Sequence, residues 1–485
     1  MKTNPFLLTD YYKVGHVFQY PENTTLVYSN LTPRKTRYAE MNEMVFFGLQ
    51  YFIKEYLVDY FSENFFTQPK EKVMADYKRR IITSLGAHLP DYSHIERLHE
   101  LGYLPVEIKA LPEGSKVPMR VPCLTIENTL PEFYWLTNFL ETILSAVIWQ
   151  PCTSATIGHA YRKLLNRYAE ETGMPPEFVQ WQGHDFSFRG MSSLETAVTS
   201  GMGHLLSFSG TDTIPAIDAL ERYYGADAEK ELIGGSVAAT EHSVMCSGNK
   251  DGELATFQRL ITEIYPSGIV SIVSDTWDLW KVCTEYVTAL KEIILEREGK
   301  VVIRPDSGDP VKIICGDPDG ITEAERKGVV ELLWDVFGGI ITRKGYKLLD
   351  PHIGAIYGDS INLQRAAAIC EGLKQKGFAS QVVFGIGSYT YQYNTRDTFG
   401  LAMKATYVEV MGEGREIFKD PVTDDGTKKS ATGLLQVIKE NGKFILKDRV
   451  TRAEEQQGEL QTVYKDGKLL KEYTLAEIRS NLQTE

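Results

Sequence analysis

The sequence predicts an α/β fold whose working part is a parallel sheet or barrel across about residues 180–390, and three observations predict it. Four apolar runs, Ser271-Ile-Val-Ser-Asp275, Val301-Val-Ile-Arg-Pro-Asp-Ser-Gly308, Gly354-Ala-Ile-Tyr-Gly-Asp359 and Gln381-Val-Val-Phe-Gly-Ile-Gly-Ser388, each end in Ser, Asp, Gly or Arg. Runs this short and apolar read as strands buried on both faces. Helical pattern alternates with them, as in 323–337, where Val329, Val330, Leu333, Val336 and Phe337 form one stripe. The spacing is that of βα units: Asp275 to Asp306 is 31 residues and Asp359 to Gly387 is 28, while the longer gap from 306 to 359 must hold an insertion. Ligands of such folds sit at the carboxyl ends of the strands, so four polar endings in succession predict one site on one rim.

The flanks read differently. The first 150 residues show a strand-like Thr24-Thr-Leu-Val-Tyr-Ser29 and helical pattern at 44–57 and 132–148, without βα repeats. Past residue 400, Asn441-Gly442 and Asp466-Gly467 each stand between apolar runs, the mark of a two-residue hairpin turn. Thr474-Leu-Ala-Glu477 reads as a capping box opening a last helix. The expected division is a mixed α+β domain of 1–150 plus 400–485 and an α/β domain of 151–399.

Composition narrows the function. A chain of 485 residues, 43% hydrophobic and 24% charged, has the balance of a globular enzyme with room for two domains. Its net charge of −13 argues against a nucleic-acid binder, yet leaves room for a phosphorylated small molecule held by local Arg and Lys. The first ten residues lack the apolar core of a signal peptide, and no segment approaches the roughly 18 apolar residues of a membrane span. A cytoplasmic protein is therefore expected, engaging neither nucleic acid nor membrane. The six cysteines, at 123, 152, 246, 283, 315 and 370, form no Cys-x-x-Cys pair, so they are expected to be reduced core residues rather than zinc ligands or disulfides.

Six segments carry candidate chemistry. In His184-Asp-Phe-Ser-Phe-Arg-Gly190, a continuing strand would put Asp185, Ser187 and Arg189 on one face and Phe186 and Phe188 on the other. Phe186 and Arg189 would share a pocket for a flat heteroaromatic ligand only near a strand end; otherwise the segment is a buried strand with a surface ion pair. Asp212, in Phe208-Ser-Gly-Thr-Asp-Thr213, is either a helix N-cap or a ligand group that accepts from an amide and repels a carboxylate. Glu241-His242, after a Gly- and Ser-rich stretch, is either structural or a handler of protons or phosphoryl groups. Arg304-Pro-Asp-Ser-Gly308 is a turn, or a sugar-phosphate site with Asp306 on ribose hydroxyls and Arg304 supplying charge. Gly358-Asp359 and Gly385-Ile-Gly-Ser388 offer open amides for phosphate oxygens, with Arg396 and Lys404 following. No Gly-Lys-Ser/Thr makes this a P-loop.

With Thr9-Asp-Tyr-Tyr-Lys-Val-Gly-His16, Phe46-Phe-Gly-Leu-Gln-Tyr51, Tyr134-Trp-Leu-Thr-Asn138, Gly345-Tyr-Lys-Leu-Leu349, Thr395-Arg-Asp397 and Phe418-Lys-Asp-Pro421, these segments stand in a specific order. Over nearly the whole chain they resemble the nicotinamide phosphoribosyltransferase family, which are dimeric type II phosphoribosyltransferases. The resemblance implies an irregular α/β barrel, with the mixed domain contributing to the interface of a homodimer with shared active sites. It implies nicotinamide stacked between Phe186 and the partner subunit's Tyr12, with Arg189 and Asp212 holding the carboxamide. Arg304, Asp306, Gly358, Asp359, Gly387 and Ser388 would take the ribose and 5′-phosphate, and Arg34, Arg396 and Lys404 the pyrophosphate or ATP phosphates. His242 would be phosphorylated from ATP, with Asp275 beside it and beside Mg²⁺, which the substrate pyrophosphate itself mainly holds. The implied reaction transfers phosphoribosyl from phosphoribosyl pyrophosphate to nicotinamide, in NAD salvage. Where the family has a run of glycines after the last barrel strand this chain has Gly387-Ser388-Tyr389, and Ser187 and Phe188 replace its usual Gly and Tyr. The alternatives are a nicotinate phosphoribosyltransferase, which a carboxylate at 212 disfavours, and a silent binding homologue.

Overall fold

The computed structural model describes residues 3–85, 91–423 and 429–483. The chain divides into two compact units, one of Met1–Thr156, Ala219–Asp227 and Asn394–Glu485, the other of Ile157–Asp218 and Ala228–Tyr393.

The second unit is built on a seven-stranded sheet: β1 Gly183–Asp185, β2 Gly210–Thr211, β3 Ala238–Ala239, β4 Ser267–Val273, β5 Glu298–Arg304, β6 Ile353–Tyr357 and β7 Val382–Ile386. All pair in parallel, in the order β2-β1-β7-β6-β5-β4-β3. A parallel bridge between Gly210 and Gly235, just ahead of β3, ties the two edge strands together. Strands adjacent in sequence are thus adjacent in space around a ring, the plan of an α/β barrel, closed here by a single bridge. The apolar runs form it because both faces are covered: all five residues of β6 are buried, as are Val270, Ile272, Val301, Ile303 and Phe384. Parallel pairing puts every carboxyl end on one rim.

Between β5 and β6 stand the helices Pro310–Cys315 and Glu323–Phe337 and a hairpin of Gly339–Ile341 with Lys347–Leu349, which accounts for the long gap. The second helix kinks at Gly328, whose φ of 76° suits glycine and whose missing side chain admits Gly316. Beyond the kink Val329, Val330, Leu333 and Phe337 are buried as the stripe requires.

The first unit is built on a seven-stranded antiparallel sheet in the order Glu413–Glu416, Ala402–Val410, Thr24–Thr32, Leu124–Asn128, Val106–Ala110, Gln461–Lys465, Lys468–Leu469. Three strands from the N-terminal part stand together at its centre, with two strands from the C-terminal part on either side. Asn441 and Gly442, at φ 51° and 80°, and Asp466 and Gly467, at 48° and 80°, take the left-handed conformations of tight hairpin turns. At the last helix the Thr474 amide donates to Glu477 Oε2 at 2.7 Å and the Glu477 amide to Thr474 Oγ1 at 3.3 Å. Two expectations need correction. Residues 44–57 are not one helix: Glu43–Val45 is a strand paired with Lys116–Pro118, and helix begins at Leu49. Cys246 is exposed, while the other five cysteines are buried.

Candidate active site at the barrel rim

Strand β1 stops at Asp185, so the alternating-face reading of 184–190 ends there; Phe188–Gly190 is a short helical turn and Arg189 is exposed. Phe186 therefore leaves the strand end. Its ring lies across the ends of β6 and β7, where a Cβ on Gly385 would overlap it and one on Gly358 would come within 3.1 Å. Glycine is required at 385 for this approach rather than for its dihedral angles. Gly385→Ala is expected to displace the ring, costing about 1–3 kcal/mol of stability and raising KM for a ring-stacking substrate; steady-state kinetics with a thermal melt checks both.

His184 touches the edge of Phe186, centroids 4.9 Å apart, and lies over Gly210, where any side chain would strike its ring. Its Nε2 is 2.9 Å from Asp212 Oδ1, which also accepts from Ser236 Oγ at 2.6 Å. Three segments, at β1, at β2 and ahead of β3, thus converge on one carboxylate. Burial pushes the Asp212 pKa up, but the hydrogen bond and charge of His184, the Ser236 hydroxyl and Arg304 outweigh it and hold the carboxyl below its ordinary value. Its side chain is 51% exposed, so a face remains open to a ligand. These bonds, in place of a cap, engage Asp212.

Beneath the rim, His204 is buried with Nε2 on the Gly210 carbonyl at 2.9 Å and Nδ1 on the Tyr391 hydroxyl at 2.7 Å. A carbonyl only accepts, so the proton sits on Nε2 and Tyr391 donates to Nδ1. This fixes a neutral imidazole, in accord with the burial that lowers its pKa.

The ends of β3, β4 and β5 form the acidic side. Asp275 Oδ2 accepts from the Asp306 amide at 2.8 Å and from Ser307 Oγ at 2.5 Å. Its Oδ1 is buried with no hydrogen-bond partner among the described residues, as is Arg304 Nε. Arg304 Nη2 donates to the Thr240 carbonyl at 2.8 Å. His242 Nε2 stands 3.9 Å from Asp275 Oδ1 and 3.9 Å from Asp306 Oδ2, with Nδ1 3.3 Å from Thr276 Oγ1. Burial raises the Asp306 pKa; the Asp275 and Asp359 carboxylates add to it, while Arg304 and His242 oppose it. Unpaired buried polar atoms and a carboxylate crowded by others are what a cationic or polyhydroxyl ligand would relieve. No group of three or more His, Cys, Asp and Glu among the described residues could hold a metal by itself. Asp359 follows β6, and Gly387 and Ser388 follow β7, with Ser388 packed against Gly190.

The remaining expected residues lie in the first unit. Arg34 Nε donates to the Gly400 carbonyl at 3.0 Å, and Lys404 Nζ to the Met403 carbonyl at 2.9 Å. Burial lowers the Lys404 pKa, Arg34, Lys419 and Arg396 lower it further by repulsion, and Glu141 opposes them. Four cations therefore gather there; Lys419 had been visible only inside a motif. Tyr12 is 62% exposed. His184, Ser236 and Thr240 also escaped singling out, because their roles depend on strands becoming neighbours.

The Nicotinate phosphoribosyltransferase (NAPRTase) family matches residues 181–468, and the N-terminal domain of nicotinamide phosphoribosyltransferase matches residues 4–108. The chain is 56% identical over 494 residues to a nicotinamide phosphoribosyltransferase of Acinetobacter baylyi, covering 99% of this chain and 97% of that one. It is 36% identical over 446 residues to the Mycoplasma pneumoniae enzyme of that name, covering 88% and 94%, and 33% identical over 488 to that of Xanthomonas campestris pv. campestris, covering 99% and 98%. Two solved structures share the fold. A nicotinate-nucleotide pyrophosphorylase from Pyrococcus furiosus has TM-score 0.58 at 14% identity, covering 99% of this chain and 95% of that one. Human nicotinic acid phosphoribosyltransferase has TM-score 0.56 at 15% identity, covering 98% and 93%.

Proposed function

The chain belongs to the nicotinate phosphoribosyltransferase family and, within it, to the nicotinamide phosphoribosyltransferases, and from that premise we propose how its rim works. The reaction joins the pyridine nitrogen of nicotinamide to ribose C1 of phosphoribosyl pyrophosphate while the bond from C1 to the pyrophosphate oxygen breaks, giving nicotinamide mononucleotide and pyrophosphate. The observation that carries the base assignment is the ionised Asp212, held by His184 and Ser236 beside the Phe186 ring. A carboxylate with an open face accepts from an amide N–H and repels nicotinate. Phe186 supplies the stacking face, Arg189 donates to the carboxamide oxygen, and the partner subunit's Tyr12 closes the other face in a homodimer with shared sites.

No protein nucleophile is needed at the sugar, so alignment and charge carry the chemistry. Asp306 takes ribose hydroxyls, Arg304 and the open amides at Gly358, Asp359, Gly387 and Ser388 take the 5′-phosphate, and Arg34, Arg396, Lys404 and Lys419 suit pyrophosphate or ATP by charge. The orphaned Asp275 Oδ1 and the crowded Asp306 suit Mg²⁺ carried in on pyrophosphate. That ion, when bound, neutralises the departing pyrophosphate. At His242 the two carboxylates 3.9 Å from Nε2 favour a proton there. Nδ1 is then the nitrogen that attacks the γ-phosphorus of ATP, with ADP leaving. The enzyme serves cytoplasmic NAD salvage.

The test is pyrophosphate release from phosphoribosyl pyrophosphate and Mg²⁺ on adding nicotinamide. One nicotinamide mononucleotide should form per pyrophosphate; release without that product would overturn the proposal.

A further inference from the structure

We infer that Asp185 is a positioning residue for base binding: its side chain fixes the turn that carries Phe186 and Arg189, and its carbonyl fixes Asp212. The inference rests on the base reading above, in which these three residues hold nicotinamide. Asp185 is wholly buried. Its Oδ1 accepts from the Ser187 amide at 2.9 Å, a bond to the amide two residues on that turns the chain out of a strand. The Phe186 amide still donates to the Ile386 carbonyl of β7 at 3.1 Å, so the chain leaves the sheet at the next residue. There the Ser187 carbonyl accepts from the Gly190 amide at 2.9 Å and closes the helical turn that contains Arg189. Ser187 does not hold this turn with its own side chain, since its Oγ is buried without a hydrogen-bond partner among the described residues. On the opposite side the Asp185 carbonyl accepts from the Asp212 amide at 3.0 Å. One residue thereby joins both segments given above to the base.

The placement of this carboxylate is unfavourable in itself, which argues against a mere strand end. Asp185 Oδ2 is buried with no hydrogen-bond partner among the described residues. The helix Leu194–His204 packs against it at Gly201, where a Cβ would come within 3.3 Å of Oδ2 and 2.7 Å of the Ala216 Cβ. His204 is close enough for the Asp185 charge to oppose the lowering of its pKa by burial, yet Gly210 and Tyr391 already occupy both its nitrogens. A carboxylate could end a strand in the same way from the surface without this penalty, its second oxygen meeting water. A buried oxygen left without a partner is explained instead by what the rest of its residue holds in place.

Steady-state kinetics and thermal melts on the intact protein with Mg²⁺ test this. Asp185→Ala frees the Ser187 amide and should raise KM for nicotinamide about tenfold, the worth of one buried hydrogen bond, with KM for phosphoribosyl pyrophosphate within about twofold of wild type. The melting temperature should change little, because the oxygen without a partner is removed as well. Preference for nicotinamide over nicotinate should survive, since Asp212 is tied to a main-chain carbonyl that the substitution keeps. Asp185→Asn retains the accepting oxygen and should bring KM back to within about threefold of wild type. Should Asp185→Ala fail to fold, Asp185→Ser, whose hydroxyl accepts from the same amide more weakly, should show a KM between those of wild type and the tenfold loss. An unchanged KM in Asp185→Ala would overturn the proposal. So would a rise in both KM values together with a falling melting temperature, or Asp185→Asn as impaired as Asp185→Ala. Phe186→Ala separates this from the base reading: it should raise KM for nicotinamide, and Asp185→Ala added to it should have a smaller effect than it has alone. A silent Phe186→Ala would remove the base reading and this proposal with it, whereas full additivity would overturn the role of Asp185 alone.

Discussion

Asp212→Asn should bring the kcat/KM values for nicotinamide and nicotinate to within about tenfold of each other, from a wild-type preference on the order of 100-fold. The wild-type figure follows from opposing two carboxylates at a half-exposed site, where like charges in contact cost a few kcal/mol. Asparagine keeps an acceptor for His184 and Ser236 and gains an amide that donates to nicotinate, so much of the loss should appear as a rise in KM for nicotinamide and a fall for nicotinate. The pH dependence has a definite sign. The Asp212 pKa is lowered, so the carboxyl stays ionised until the pH drops below the usual carboxylate range. Discrimination should therefore be flat from about pH 5 to 8. A collapse inside that window would show that another group sets it.

His242→Ala should abolish the acid-labile, base-stable label acquired from γ-³²P-ATP and remove any stimulation of turnover by ATP. Transfer without ATP should persist, because the sugar chemistry uses no atom of His242. The geometry gives a second readout. Asp275→Asn removes one of the two carboxylates facing Nε2, and should slow labelling without preventing it. Full labelling in His242→Ala would move the phosphoryl acceptor elsewhere and leave the base site untouched.

The strand endings of the barrel were legible because buried parallel strands are written as short apolar runs, and the polar residue that ends each run is visible beside it. Asp275, Arg304, Asp306, Asp359 and Gly387 were found in this way. The barrel's closure was not legible: β2 and β3 have two residues each, and the bridge at Gly235 has no side-chain pattern to announce it. Nor was the clamp on Asp212, whose partners His184 and Ser236 lie 28 and 24 residues away and meet it only through the pairing of β1 with β2 and the bridge at Gly235. In the first unit, Thr24–Thr32 pairs with Ala402–Val410 across most of the chain. Local periodicity carries no information about such a partner. The misread segment 44–57 shows the same limit, since pairing with Lys116–Pro118 makes its start a strand against its local pattern.

The most direct measurement is a competition in one vessel: equal nicotinamide and nicotinate, limiting phosphoribosyl pyrophosphate, Mg²⁺ and no ATP, with both mononucleotides quantified. The product ratio equals the ratio of kcat/KM values and is blind to the phosphohistidine. A ratio on the order of 100 favouring nicotinamide mononucleotide is expected. A ratio near one, or one favouring the nicotinate product, would contradict the assignment of Asp212 as the group that chooses the base.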